Sequence, residues 1–226
     1  MFAIIKKELK SYLLTPIGYT FIGLFLALFS LFFYTNVFAR HVLNFEYLFG
    51  NAVTVLTFIT PILTMRMFAE ERKNGTEQLI LTSPRSITAI VLGKFISGVI
   101  ILLITGLCSL IYFAILEYFG DPSLKVAIST IIGFVLLGMA YLSFGMFASS
   151  LTENQVIASV LPVAVFLSMF FLPTFNQNLK IFSLIYLFDN FPNGIISISD
   201  IIAFTTFTIL FIVLTIIVLQ RRKTVK

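Results

Sequence analysis

The chain has 226 residues and a net charge of +5; 59% of its residues are hydrophobic and only 11% are charged. A soluble domain carries about 25% charged residues, so a chain with a mean hydropathy of +1.05 has too little polar surface to cover itself in water. The composition excludes an ordinary soluble domain and points to a membrane.

Charged side chains leave six charge-free windows: 11–39, 47–65, 95–116, 126–152, 154–179 and 201–220. Crossing a hydrocarbon core takes roughly 20 residues and as few as about 17. Backbone polar groups cannot go unpaired in lipid, so each window is expected to be a helix. The expected fold is an all-α membrane protein, one transmembrane domain over 1–226. Its six transmembrane helices are expected at 17–38, 47–66, 88–118, 125–150, 154–173 and 200–220. Pro162 and Pro173 interrupt the fifth window, which a buried or re-entrant helix would also fit.

In chain order, MFAIIKKELKSYLLTP sets Phe2, Ile5 and Leu9 on one helical face and Lys6, Lys7 and Lys10 largely on another. This predicts an interfacial amphipathic helix over 1–14 with snorkelling lysines; a plain basic tail that sets topology is the alternative. The first apolar window exceeds a signal-peptide core, and no small-residue cleavage site follows it, so it is expected to remain as a span.

The second span carries Asn51, Thr54, Thr57 and Thr60 near helical spacing. Such a stripe can line a translocation path. It can equally serve helix–helix hydrogen bonding, worth about 0.6 kcal/mol per contact. Asn51, with Thr54 and Thr57, is the candidate path face, because Asn is the costliest of the set to bury; Thr60 fits the packing reading better.

EERKNGTEQLILTSPRS, residues 70–86, interrupts the apolar runs with a dense charge cluster. Asn74 is a candidate N-cap with Glu77 three residues on, as in a capping box, and Thr76 is the alternative cap. The run to Leu79-Ile80-Leu81 gives a helix of about two turns. Thr82-Ser83-Pro84 stops it. Ser83 and Pro84 then open a helix expected to continue through Lys94 to about Phe119. A two-turn helix is too short to be stable alone in water. It needs a surface, either a groove on a partner or the lipid headgroups.

Cys108 is the one cysteine, so no disulfide framework exists, and it reads as a small apolar residue buried in the third span. Gly145 and Ser149 on the fourth span have small-x-x-x-small spacing, better suited to packing within the chain than to a dimer contact. The 27 phenylalanines, with no tryptophan, fit lipid-facing and core-filling roles, or a wall for an amphipathic substrate.

Basic residues fix the expected topology. Lys6, Lys7, Lys10, Arg66, Arg72, Lys73, Arg85, Lys94, Arg221, Arg222, Lys223 and Lys226 fall on one side of a six-span chain; Arg40, Lys125 and Lys180 fall on the other. The acids split evenly. The positive-inside rule places both termini and residues 66–86 in the cytoplasm of a multi-pass protein of the cell membrane. The positive charge is thus a topology signal and implies no nucleic acid.

No phosphate-loop motif occurs; Gly93-Lys94 is followed by Phe95. His41 is the one histidine, which excludes a histidine-based metal cluster, and no metal site is expected. The spans hold no central ionisable residue of the kind ion-coupled transporters use. Uphill transport would therefore draw its energy from outside the chain. Polar catalytic groups at one depth are also missing, which argues against an intramembrane enzyme.

FAEERKNGTEQLILTSPRSITAIVLGKF, residues 68–95, resembles the corresponding stretch of ABC-2 type exporter permeases. The matching elements are Glu70 and Glu71, Gly75-Thr76, Leu79 and Leu81, Pro84, and Gly93-Lys94. KKELKSYLLTPIGY, residues 6–19, resembles the elbow and proline break that open those proteins. The C-terminal stretch, with Phe191, Gly194, Asp200, Thr208, Leu214-Thr215 and Arg221-Arg222, resembles the last span of the GldF/NosY-like branch.

The resemblance implies a non-catalytic permease that pairs with a second permease copy or paralogue and with two copies of an ABC ATPase subunit. ATP and Mg would sit on those partners, and no cofactor on this chain. Residues 74–82 would be the coupling helix. Its contacts would come from Glu70, Glu71, Asn74, Gly75, Thr76, Glu77, Leu79, Ile80, Leu81 and Pro84. Thr152 and Glu153, in the connection 151–154, would form the second contact. Residues 174–199 would be an extracytoplasmic re-entrant region. The outer loops are short, so an extracytoplasmic GldG-like accessory protein is a further implied partner. The implied function is export of an unidentified substrate; an ATP-driven mechanical or signalling transducer without transport is the alternative.

Overall fold

The computed structural model describes residues 1–38, 45–82, 85–119, 123–175 and 183–225, and every element among them is helical. In chain order these are α1 (Phe2–Leu14), α2 (Pro16–Phe33, continued by a π-helical turn Tyr34–Phe38), α3 (Phe45–Thr64), α4 (Ala69–Lys73) and α5 (Glu77–Leu81). After them come α6 (Ile87–Phe119), α7 (Leu124–Leu151), α8 (Gln155–Phe175), α9 (Leu184–Phe188) and α10 (Ile198–Val225). Five of them, α2, α3, α6, α7 and α10, are long and apolar enough to cross a membrane. The described apolar stretch of α8, Gln155–Phe171, is shorter.

The described long helices overlap the expected windows, with α10 running on to Val225 beyond the expected end at 220; lipid forces helix wherever the apolar run is long enough. Two local expectations are corrected. Asn74 does not start a helix: it is the C-cap of α4, its N–H donating to Glu70 O at 2.9 Å. Gly75 then takes φ +72°, the left-handed conformation that glycine adopts at little cost after a helix end. The short helix is accordingly Glu77–Leu81, narrower than 74–82. The start of α6 is the second correction. Ser86 caps it, accepting from Ala89 N at 3.3 Å, and the helix begins at Ile87. Ser83 and Pro84 lie outside the described residues, as do 176–182 of the expected re-entrant region.

The core forms around α7, which packs on α10, α3, α6 and α8. Being apolar on all sides, α7 is fit for a bundle centre. Gly145 sits so close to Thr64 of α3 that a Cβ would collide with the threonine side chain, and Ser149 one turn on contacts the same connection. The small-residue pair therefore packs the chain against itself. Phenylalanines fill the interior: Phe25 and Phe29 stack with centroids 5.6 Å apart, and Phe166 stacks on Tyr141 at 3.8 Å. Cys108 is half-buried on α6, less enclosed than expected.

Both ends of the chain meet at one end of the bundle: Arg222 of α10 contacts Glu77 of the 66–82 connection, and Glu8 of α1 shares Lys94 with Glu71 of the same connection. The segment after α8 lies toward the start of α7, where Phe191 is fully buried against Gly133. Among the described residues of that segment, only α9 is helical. Asn190 Nδ2 donates to Asp200 Oδ2 at 2.8 Å, tying this segment to the first turn of α10.

Candidate functional site

At the end where the termini meet, three charged contacts fasten the short helices α4 and α5 to the bundle. Lys94, on the second turn of α6, is 3% exposed and holds Glu71 Oε1 at 2.7 Å and Glu8 Oε1 at 3.2 Å. Its ammonium also lies 5.4 Å from the ring centroid of Phe68. A buried lysine persists only when paired, so this one side chain joins α1, α4 and α6. The glycine before it explains the approach: a Cβ at Gly93 would stand 2.8 Å from Ile4 Cγ2 of α1.

The second contact is Arg222 of α10. Its Nη1 lies 2.9 Å from Glu77 Oε1, and its Nη2 donates to the carbonyl of Ser150. One guanidinium thus binds α5 and the end of α7 together, a task its planar donor fork suits. Arg72 makes the third. Its Nε lies 3.7 Å from Glu153 Oε2 and its Nη1 donates to Leu151 O at 3.3 Å, connecting α4 to the α7–α8 turn. That turn is built locally: Asn154 N donates to Thr152 Oγ1 at 3.1 Å and Val156 N to Asn154 Oδ1 at 2.9 Å.

Backbone groups freed between α3 and α4 are satisfied from α7. Ser149 Oγ accepts from Phe68 N at 3.1 Å and Ala69 N at 3.0 Å, and donates to Met65 O at 3.3 Å. Within the connection, Thr76 Oγ1 donates to Glu71 O at 3.1 Å. Burial raises the carboxyl of Glu71, and the Lys94 ammonium opposes that rise. Buried Tyr12 of α1 has its hydroxyl pushed well above the ordinary range, by burial first and then by the neighbouring carboxylates of Glu8, Glu71 and Glu70.

The residues expected at an ATPase contact therefore divide. Leu79 is 73% exposed on α5, and Asn74, Gly75, Thr76 and Glu153 are exposed as well. Ile80 and Leu81 belong to α5. Glu71 and Glu77 instead turn inward to Lys94 and Arg222. Glu70 is half-buried, 3.6 Å from Arg66 Nε. Thr152 faces its own turn. Pro84 lies outside the described residues. The charged partners Glu8, Lys94 and Arg222 were not among the expected site residues. A lysine within an otherwise apolar helix was the available signal, since it must find an acid.

The polar stripe on α3 also divides. Thr57 is buried, its hydroxyl donating to Val53 O at 2.9 Å and lying 3.3 Å from Tyr141 OH, and Thr60 bonds its own helix at 2.6 Å. Thr54 is exposed and Asn51 half-buried. Thr54 and Thr57 border a small, mainly apolar cavity of about 80 Å³ with Phe58, Phe166 and Phe170.

A family model described as ABC-2 family transporter protein matches residues 42–220. No curated protein matches the chain.

Proposed function

The chain belongs to the ABC-2 family of transporter proteins, integral membrane permeases of ABC transporters, and on that premise we propose that it is the transmembrane subunit of an ATP-driven exporter whose hydrolysis occurs on a separate ATPase. The observation that carries the reading is the fastening of α4 and α5. A five-residue helix cannot hold its shape alone. Here it offers Leu79 outward while Glu77 and the neighbouring Glu71 are held by α10 and α6. A push on the exposed side of α5 would pass through two charged contacts into two long helices and into α1.

In this reading α2, α3, α6, α7, α8 and α10 are six crossing helices, and both termini are cytoplasmic. α8 starts at the end where the termini lie and α10 returns to it, which supports counting α8 as a crossing helix despite its shorter apolar stretch. The helix α1 is the interfacial elbow, and the segment around α9 dips back from the outer face. Two ATPase subunits, carrying ATP and Mg, seat α5, with the Glu153 turn as a second contact. A second permease copy or paralogue completes the transporter, and Asn51 and Thr54 line the path between the two. A GldG-like accessory protein is a further candidate partner outside the membrane.

Affinity purification of the tagged chain from native membranes tests this reading. An ABC ATPase should copurify in amounts comparable to the permease. Recovery of the chain alone and monodisperse would refute it.

A further inference from the structure

The contacts that hold α4 leave a cavity beside them. It has a volume of about 250 Å³ and lies between α1, the start of α2, the end of α3, and α4. Two groups on its wall, Arg66 Nε and Glu71 Oε2, are buried without a hydrogen-bond partner. One is a cationic donor and the other an anionic acceptor. Leaving such an atom buried and unsatisfied costs about 1–3 kcal/mol, more for a charged group. Glu71 Oε2 therefore calls for a donor that no described residue supplies, and Arg66 Nε, 3.6 Å from Glu70 Oε2, for a closer acceptor than that carboxylate.

A partner for both must present an acceptor to Arg66 and an N–H donor to Glu71 within one small group. The wall extends both polarities: Lys7 and Lys94 add cations, and Glu8 and Glu70 anions, with Lys94 already engaged by Glu8 and Glu71. Thr15 and Ile17 lie on the same wall, where α1 gives way to the span α2. Such a junction sits at headgroup depth. Water could satisfy either group singly, but the volume is several times the roughly 30 Å³ of one water molecule, and the charge separation selects a zwitterion. A choline headgroup carries no N–H to donate, and a glycerol headgroup carries no cation.

We propose that this cavity binds the headgroup of an aminophospholipid, phosphatidylethanolamine. Its phosphate lies on Arg66 and Lys7 and its primary ammonium on Glu71 and Glu70. The proposal rests on membrane insertion of the chain and not on its coupling to an ATPase, so the two fail separately. Bound there, the lipid joins α1 to α4 and supplements the Lys94 contact.

Native mass spectrometry and thermal unfolding of the full-length purified protein test the site. The probes are phosphatidylethanolamine, phosphatidylcholine and phosphatidylglycerol with matched acyl chains, and soluble glycerophosphoethanolamine. Phosphatidylethanolamine should be retained about tenfold more tightly than the other two lipids, a difference of about 1.4 kcal/mol, and should raise the unfolding temperature. The preference should vanish in Arg66→Gln and weaken in Lys7→Gln, a substitution of a side chain 71% accessible that should leave the fold intact. Equal retention of the ethanolamine and choline lipids would overturn the proposal, as would a preference unchanged in both variants. Tighter retention of phosphatidylglycerol would make the cavity a plain anion-binding site and also overturn it. An equal shift with glycerophosphoethanolamine would refute a lipid occupant.

Discussion

Lys94 Nζ stands 2.7 Å from Glu71 Oε1, joining the first turns of α6 to a five-residue helix 23 residues earlier. With Glu8 at 3.2 Å, the lysine bridges two carboxylates. Removing one partner of a buried pair costs about 3–5 kcal/mol, because the charge left behind is uncompensated. Lys94→Met should therefore destabilise the protein by about 3 kcal/mol in thermal unfolding. Glu71→Gln should cost less, about 1 kcal/mol, since Lys94 keeps Glu8.

The Lys94→Met deficit should depend on pH. Burial already raises the Glu71 carboxyl, and Lys94 is what opposes the rise. Without the lysine, the folded-state carboxyl titrates further above its unfolded counterpart. A raised folded-state value means stability is present at low pH and lost as pH rises through that value. The variant should approach wild-type stability on acidification below the ordinary carboxylate range and fall away toward neutrality. A deficit that is flat across that range would contradict the pairing.

Ser149→Ala removes the acceptor for two backbone N–H groups, Phe68 and Ala69. Stranding buried donors costs about 1–3 kcal/mol. The loss should concentrate at the turn between α3 and α4, so limited proteolysis should show faster cleavage within 66–86. Protection equal to wild type would exclude the role given to Ser149.

Gly145→Ala and Gly23→Ala form a matched pair. A methyl at Gly145 meets the stiff, buried Thr64 side chain, whereas one at Gly23 meets nothing within 4 Å. Overpacking costs about 1–3 kcal/mol, while a surface change stays within about 0.5 kcal/mol. Unfolding temperatures should separate the two variants accordingly.

The long helices were legible in the sequence because lipid leaves an apolar run one option for its backbone. At the end where α1 and α10 lie, Arg222 binds Glu77 directly, and Glu8 reaches Glu71 through Lys94. Local punctuation was harder. Lys73-Asn74-Gly75 fits a helix stop as well as Asn74 fits a helix start, and the left-handed Gly75 decides for the stop. Ser83 was the expected cap, but the helix begins after Ser86. The pairing of Glu71 with Lys94 and of Glu77 with Arg222 was not legible at all. It depends on which helices are neighbours, and that is set by close approaches such as Gly93 on Ile4 and Gly145 on Thr64. For that reason Glu71 and Glu77, expected at a partner contact, are instead held by Lys94 and Arg222.

The central claim is that α5 passes the work of a partner ATPase into the bundle, and stimulation of that ATPase measures it. In a reconstituted complex, Leu79→Asp with Leu81→Asp should abolish stimulation by the permease while its thermal unfolding stays near wild type. Undiminished stimulation by the doubly substituted chain would contradict the account.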